Sequence, residues 1–264
     1  MPHPVITLTT DFGVRDPYVA EMKGVILNIA PKATIVDVTH DVEKFNIRRG
    51  AFTLASAVPC FPDGTIHVAV VDPGVGTERR PLLIQTNRGF LVGPDNGILS
   101  LAAEKQRVEH VFEITNPKLV LPKPSNTFHG RDIFAPAAAH LANGIKPRDF
   151  GKEIHRIVKP EFAKIIKKKN TLIGEVLYID SFGNVVTNLA QAELESLKIG
   201  AKVKLKLGKE KVELPLCRTY VEARKAKPLA IVGSHGFLEI SMNQGNAAKH
   251  FKIDEDDRIA VFHA

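Results

Sequence analysis

Short apolar runs and stretches of helical spacing take turns along the first half of the chain. Val5–Thr10 is β-rich, and Tyr18–Ile29 repeats apolar residues at helical intervals until Pro31 stops it. Residues 34–38 read as a strand, 48–58 as a helix and 65–71 as a strongly apolar strand. Pro81–Thr86 and 89–92 read as paired strands around Asn87-Arg88, with a helix near 96–104. The Ala-rich segment 132–143 is helical in pattern, and Gly144 closes it. Alternation of this kind predicts an α/β domain whose mostly parallel sheet is flanked by helices.

The rhythm changes after residue 153. Periodicity fades and lysines accumulate through 153–170, as in a surface connection. Closely spaced strand-like runs follow at 172–180, 184–188, Lys202–Leu207, 211–215, 229–232, Phe237–Met242 and Arg258–Phe262. That spacing predicts a smaller, all-β barrel domain. The expected domains are therefore 1–165 and 166–264.

Composition narrows the function classes. The 264 residues are 44% hydrophobic and 25% charged, which suits a folded globular protein rather than a disordered one. No basic leader with an apolar run and no membrane-spanning stretch is visible, so a cytoplasmic protein without membrane partners is expected. Cys60 and Cys217 lie far apart without a CxxC pattern and read as ordinary small core residues. The net charge of +7 comes mainly from Lys164, Lys167, Lys168 and Lys169 and from the alternating Lys202, Lys204, Lys206, Lys209 and Lys211. These lysines lack interleaved aromatics, so a solvated surface is expected and nucleic acid is not. The alternating set reads as a β-ribbon with one face in water.

Candidate chemistry gathers at strand ends. Asp11 and Asp72 each follow a predicted strand, where α/β sheets bind ligands, whereas Asp37 still lies inside one. Asp11 suits either a turn cap or the two hydroxyls of a ribose. The segment from Asp72 to Arg80 reads DPGVGTERR; its glycines allow close backbone approach, and Asp72 and Arg79 can meet over one ligand. The alternative reading is a tight structural turn with surface charges. In SNTFHGRD, His129 is placed as an acid or base at a helix entrance; the plainer alternative makes Asp132 the N-cap and His129 a spacer. In the second half, Asp180 and Asn184 in DSFGN, and Ser234 and Glu239 around GSHG, are either hairpin turns or the wall of a ligand pocket.

Six motifs then stand in register over nearly the whole chain: TLTTDFG, VDPGVGTERR, GPDNG, FHGRDIFAPAAA, IDSFGNVVTN and GSHGFLEISMNQGNAA. Together they resemble the S-adenosyl-L-methionine (SAM) hydroxide adenosyltransferases, the adenosine-forming SAM hydrolases related to fluorinase and chlorinase. The resemblance implies a homotrimer with active sites between the N-terminal domain of one subunit and the C-terminal domain of the next. It places ribose binding on Asp11 and a water-binding triad on Asp72, Arg79 and His129. It places adenine and amino-acid contacts on Asp180, Asn184, Ser234 and Glu239, with the Met242 backbone. Halogenating relatives carry an arginine where this chain has His235, and they lack the intact triad.

The expected reaction is displacement of methionine from the ribose 5′ carbon by a water that the triad holds, giving adenosine. Neither metal nor cofactor enters it. Two other classes compete: a metal-dependent phosphoesterase built on Asp11, Asp37, His40, Asp41 and Asp72, and a SAM or adenosine sensor without turnover.

Overall fold

Val5–Thr10 forms strand β1 of a six-stranded sheet in the computed structural model, which describes residues 3–197, 199–208 and 210–262. The chain folds into two compact units, Met1–Pro160 and Glu161–Ala264. The sequence pattern had placed the boundary near residue 165.

In the first unit, α1 (Tyr18–Ile29) leads from β1 to the parallel edge strand β2 (Thr34–Thr39). Helix α2 (Ile47–Ala57) then returns the chain to β3 (Thr65–Val70), which pairs in parallel with the other side of β1. This reversal opens a crevice beyond the carboxyl ends of β1 and β3, the place where open α/β sheets take their ligands. Asp11 and Asp72 both emerge there. Beyond β3 come β5 (Gly89–Pro94), in parallel, and β4 (Pro81–Thr86), antiparallel to it. Helix α3 (Ser100–Gln106) and an outer strand, β6 (Val108–Glu113), complete that side.

Local chemistry explains where expectation and structure part. The helix expected from residue 96 begins at Ser100, because the Asn96 side chain instead accepts from Ile98 N and donates to the Val71 carbonyl. Strand β6 escaped detection because its first three residues are exposed and show no alternation. Cys60 is exposed, not a core residue, since it sits in a 3₁₀ turn after α2; Cys217 is buried.

Helix α4 (Ala135–Ala142) packs its alanines with Met22 and Ile26 of α1 over Ile6, Leu8 and Val68 of the sheet. It is preceded by a π-helical turn, Gly130–Phe134. Pro136 has no N–H to offer the carbonyl of Asp132 four residues earlier, and Leu121 N donates to that carbonyl instead, at 2.9 Å.

The second unit is a barrel. Strands β8 (Thr171–Ile179), β9 (Val185–Ala190), β10 (Lys202–Leu207), β11 (Glu210–Cys217), β12 (Pro228–Val232), β13 (Phe237–Met242) and β14 (Arg258–Phe262) close in the order β14-β10-β11-β12-β13-β9-β8, with β8 pairing back to β14. The short β7 (Ile166–Lys168) adds to β8. Two short helices, α5 (Gln191–Ser196) and α6 (Ala247–Phe251), were not expected. Strand β10 alternates as its sequence requires: Lys202, Lys204 and Lys206 are exposed while Val203, Leu205 and Leu207 fill the core. Lys209 lies outside the described residues. Among the described residues, no helix is long and apolar enough to cross a membrane.

Candidate active site

Two loops of the first unit meet where β3 ends. Gly76 has φ +79°, and a Cβ there would come within 2.3 Å of the Asn126 carbonyl oxygen. Glycine thus lets the loop after Asp72 lie against the one that carries His129. That second loop is held by Asp132, whose carboxylate accepts from Ser125 N at 2.8 Å and from Arg131 Nε at 2.6 Å. Asp132 is therefore a buried clamp within the π-helical turn, and the N-cap position belongs to His129.

Arg79 lies at the junction. Its Nε donates to Asp72 Oδ1 and Oδ2 at 3.1 and 3.0 Å, and its Nη2 to Oδ2 at 2.6 Å. The same Nη2 meets His129 Nδ1 at 2.6 Å. A guanidinium only donates, so Nδ1 accepts, and the ring is neutral with its proton on Nε2. Burial and then the Arg79 charge push the His129 pKa below the ordinary value; Asp72, Asp132 and the Ser125 backbone act the other way without prevailing. The Arg79 and Asp72 side chains are only 9% and 5% exposed, and the guanidinium carbon sits 5.4 Å from the centre of the Phe134 ring.

Asp72 and His129 line a cavity of about 660 Å³; Arg79 is not among its lining residues and stands behind them. Arg79 Nη1 is buried without a hydrogen-bond partner among the described residues. The cavity is acidic although the chain is basic: Asp11, Asp16, Glu21 and Asp72 face only Lys44 and Arg131. Phe12, Tyr18, Phe45 and Phe128 supply apolar wall. Such a pocket suits a ligand with positive charge and an aromatic or aliphatic body.

Asp11 is buried at the cavity wall. Its Oδ2 accepts from Phe45 N at 2.9 Å, and its backbone carbonyl accepts from Lys44 Nζ. It does not cap α1, whose N-cap position is Pro17 with no side-chain bond. Phe45 adopts φ +64°, a strained conformation for a bulky residue, and is 70% exposed.

The remaining candidates lie in the second unit. Asp180 Oδ1 accepts from the backbone of Phe182 and Asn184, and its Oδ2 takes the Asn184 side-chain amide, each at 2.9 Å. Asp180 N in turn donates to the Asn184 backbone carbonyl at 3.1 Å, which leaves the Asn184 side-chain Oδ1 outside these bonds. Glu239 Oε1 accepts from Tyr220 at 2.7 Å and from Ser241 at 2.6 Å. Burial first, then Glu239, drive the Tyr220 pKa upward, and the nearby charge of Asp180 adds to this. Strand pairing brings these groups close, since Glu239 of β13 lies opposite Val186 of β9, two residues from Asn184. Ser234 is exposed in the turn between β12 and β13 and stands outside these bonds, while Met242 ends β13 packed against the barrel core.

The phosphoesterase constellation does not form. Asp11 and Asp72 line the cavity, whereas Asp37 pairs with Lys23 at 2.6 Å and meets His40 at 3.0 Å. Among the described residues, no three His, Cys, Asp or Glu side chains converge as a metal site.

Family models agree with this division. Residues 6–151 match the SAM hydroxide adenosyltransferase N-terminal domain and residues 174–260 match the corresponding C-terminal domain. The chain belongs to the SAM hydroxide adenosyltransferase family. Similar relatives include the (R)-S-adenosyl-L-methionine hydrolase of Methanocaldococcus jannaschii, 39% identical over 98% of this chain and 96% of that protein. The enzyme of the same name from Thermus thermophilus is 38% identical over 93% and 94%. A fluorinase from an Actinoplanes species is 28% identical over 99% and 98%. The crystal structure of a conserved protein from Thermotoga maritima superposes with a TM-score of 0.85 at 36% identity, covering 97% of this chain and 99% of that one.

Sequence reasoning passed over Asp16, Glu21, Phe128 and Tyr220. Asp16 precedes α1 and Glu21 lies in its first turn, outside the strand-end positions, and nothing in the sequence around Tyr220 distinguishes it. Their roles become visible only when distant segments meet.

Proposed function

We propose that this protein hydrolyses SAM to adenosine and L-methionine by in-line attack of water on the ribose 5′ carbon. The water oxygen forms the new bond to carbon while the carbon–sulfur pair leaves with sulfur, turning the sulfonium into a neutral thioether. One water proton is given up to the triad or to solvent. The observation that carries this reading is the buried Asp72, Arg79 and His129 cluster in the wall of an acidic cavity. The sulfonium is already a good leaving group, so positioning a nucleophile is the main task.

In this scheme Asp72 and His129 hold the water, and Arg79 fixes both. Burial first and then the Arg79 charge hold the His129 pKa down, so the neutral ring donates to the water from Nε2 while the Asp72 carboxylate accepts from it. Asp11 accepts the ribose hydroxyls. The frame of Asp180, Asn184 and Glu239 binds adenine and amino-acid groups, assisted by Ser234 and the Met242 backbone. Exposed apolar residues at both regions, Val14 and Phe45 in one unit and Phe182 and Val221 in the other, support their coverage by a neighbouring copy, as in a homotrimer. Free cysteines suit a cytoplasmic setting. The relatives' names assign the (R) sulfonium, and the same epimer is the substrate proposed here.

The test is incubation with resolved (R)- and (S)-SAM in halide-free oxygen-18 water, followed by mass spectrometry. Adenosine labelled at the 5′ oxygen, with methionine, is expected from the (R) epimer. Intact SAM after prolonged incubation, or unlabelled adenosine, overturns the mechanism.

A further inference from the structure

His40 takes no part in the scheme above, yet it is 4% exposed directly beneath the Asp11 loop. Strand β2 bulges at this point, with Leu8 opposite Asp37 but Thr9 opposite Thr39. Bulges re-aim side chains near functional sites. Here the irregularity falls between Asp37 and His40.

Their contacts form an ordered line. Lys23 Nζ donates to Asp37 Oδ2 at 2.6 Å. His40 Nε2 lies 3.0 Å from Asp37 Oδ1, as a bent electrostatic contact without a well-aligned hydrogen bond. His40 Nδ1 meets Thr10 Oγ1 at 2.8 Å, and Thr10 Oγ1 in turn accepts from Phe12 N at 3.3 Å. The His40 carbonyl accepts from Gly13 N at 2.7 Å. With its Nε2 facing a carboxylate, the imidazole carries its proton there, and Nδ1 receives the threonine hydroxyl proton. Burial raises the Asp37 pKa, but Lys23 and His40 beside it outweigh this and hold the carboxyl below its usual value.

Asp11 sits between Thr10 and Phe12, so one histidine braces the main chain on both sides of it. We propose that Asp37, His40 and Thr10 are positioning residues that set the Asp11 carboxylate for the ribose hydroxyls, with His40 as the central piece. This rests on the ribose role of Asp11. A buried histidine kept only for stability would affect folding and leave hydroxyl recognition intact in the folded protein.

The experiment compares binding of adenosine and of 2′,3′-dideoxyadenosine by calorimetry, in the wild type and in His40→Leu, His40→Asn, Thr10→Val and Asp37→Asn. The wild type should prefer adenosine by about tenfold or more, as expected for hydrogen bonds to a charged group. His40→Leu and Thr10→Val should lose most of that preference while binding the dideoxy compound as before. Asparagine can replace the Nδ1 contact, so His40→Asn should retain more preference than His40→Leu, and Asp37→Asn should lose least. In turnover of SAM, KM should rise more than kcat falls. Folded variants, checked by circular dichroism, that keep the full preference overturn the proposal. Should His40→Leu fail to fold, Thr10→Val and His40→Asn decide the matter. A wild type without preference overturns the ribose role itself, an outcome visible before any variant is made.

Discussion

In the first unit the candidate site is built from ion pairs, and in the second from hydrogen bonds around single carboxylates. Arg79 holds Asp72 with two nitrogens and His129 with one of them, all within a nearly dry wall. Glu239, by contrast, is framed by the hydroxyls of Tyr220 and Ser241, and Asp180 by amides. The difference teaches what each region is suited to. Fixed charges in a low-dielectric wall act on a developing charge, while neutral donors and acceptors recognise groups that do not change during reaction.

The sharpest way to break this comparison is to remove the guanidinium. Arg79→Ala leaves Asp72 buried without its partner and frees His129 from a repelling charge. Turnover should fall by about 10²- to 10⁴-fold with little change in KM, measured by release of adenosine. Lysine should not restore it, because one ammonium cannot make the side-on pair with Asp72 and also reach His129. The acid limb of any residual activity should move to higher pH, since the Arg79 charge is one of the causes that lower the His129 pKa. Undiminished turnover in Arg79→Ala removes the distinction between the two regions.

A second difference is acid sensitivity. His67 in β3 is 2% exposed, hydrogen-bonds Thr7 at 2.8 Å, and has its pKa lowered from 6.5 to about 4, by burial first and then by the Arg88 charge. Between these values the unfolded chain binds the proton and the folded one does not, so stability rises with pH. The contribution is fully present above pH 6.5 and is lost progressively as pH falls toward about 4, by about 3 kcal/mol at most. Thermal melts at stepped pH should show this slope in the wild type and a flatter one in His67→Gln. Equal slopes in both assign the acid sensitivity elsewhere.

The smallest effect is expected at Tyr220. Tyr220→Phe removes one of the two donors to Glu239 Oε1 and keeps the ring, so a loss of about 1 kcal/mol is expected. It should appear as a several-fold rise in KM with kcat nearly unchanged. A large fall in kcat instead makes the second unit part of the chemistry.

Much of this protein was legible in its sequence. Alternation and strand spacing are local properties, repeating every two or three to four residues, so the parallel sheet and the barrel followed from them. So did the placement of Asp11 and Asp72 at strand ends, and motif resemblance named Arg79 and His129 beside them. Other features escaped because their causes are not local. The late start of α3 depends on Asn96 reaching Val71, and the π-helical turn on Leu121 taking the carbonyl that Pro136 cannot serve.

The sequence by itself determined the main elements, their order and the residue types available for chemistry, because propensity and periodicity act between near neighbours. Only the tertiary structure decided that Gly76 brings Asp72 and Arg79 to His129, that Arg79 stands behind the cavity, and that a basic chain encloses an acidic one. Those outcomes depend on packing between segments tens of residues apart, where one missing Cβ or one buried charge settles which side chains meet.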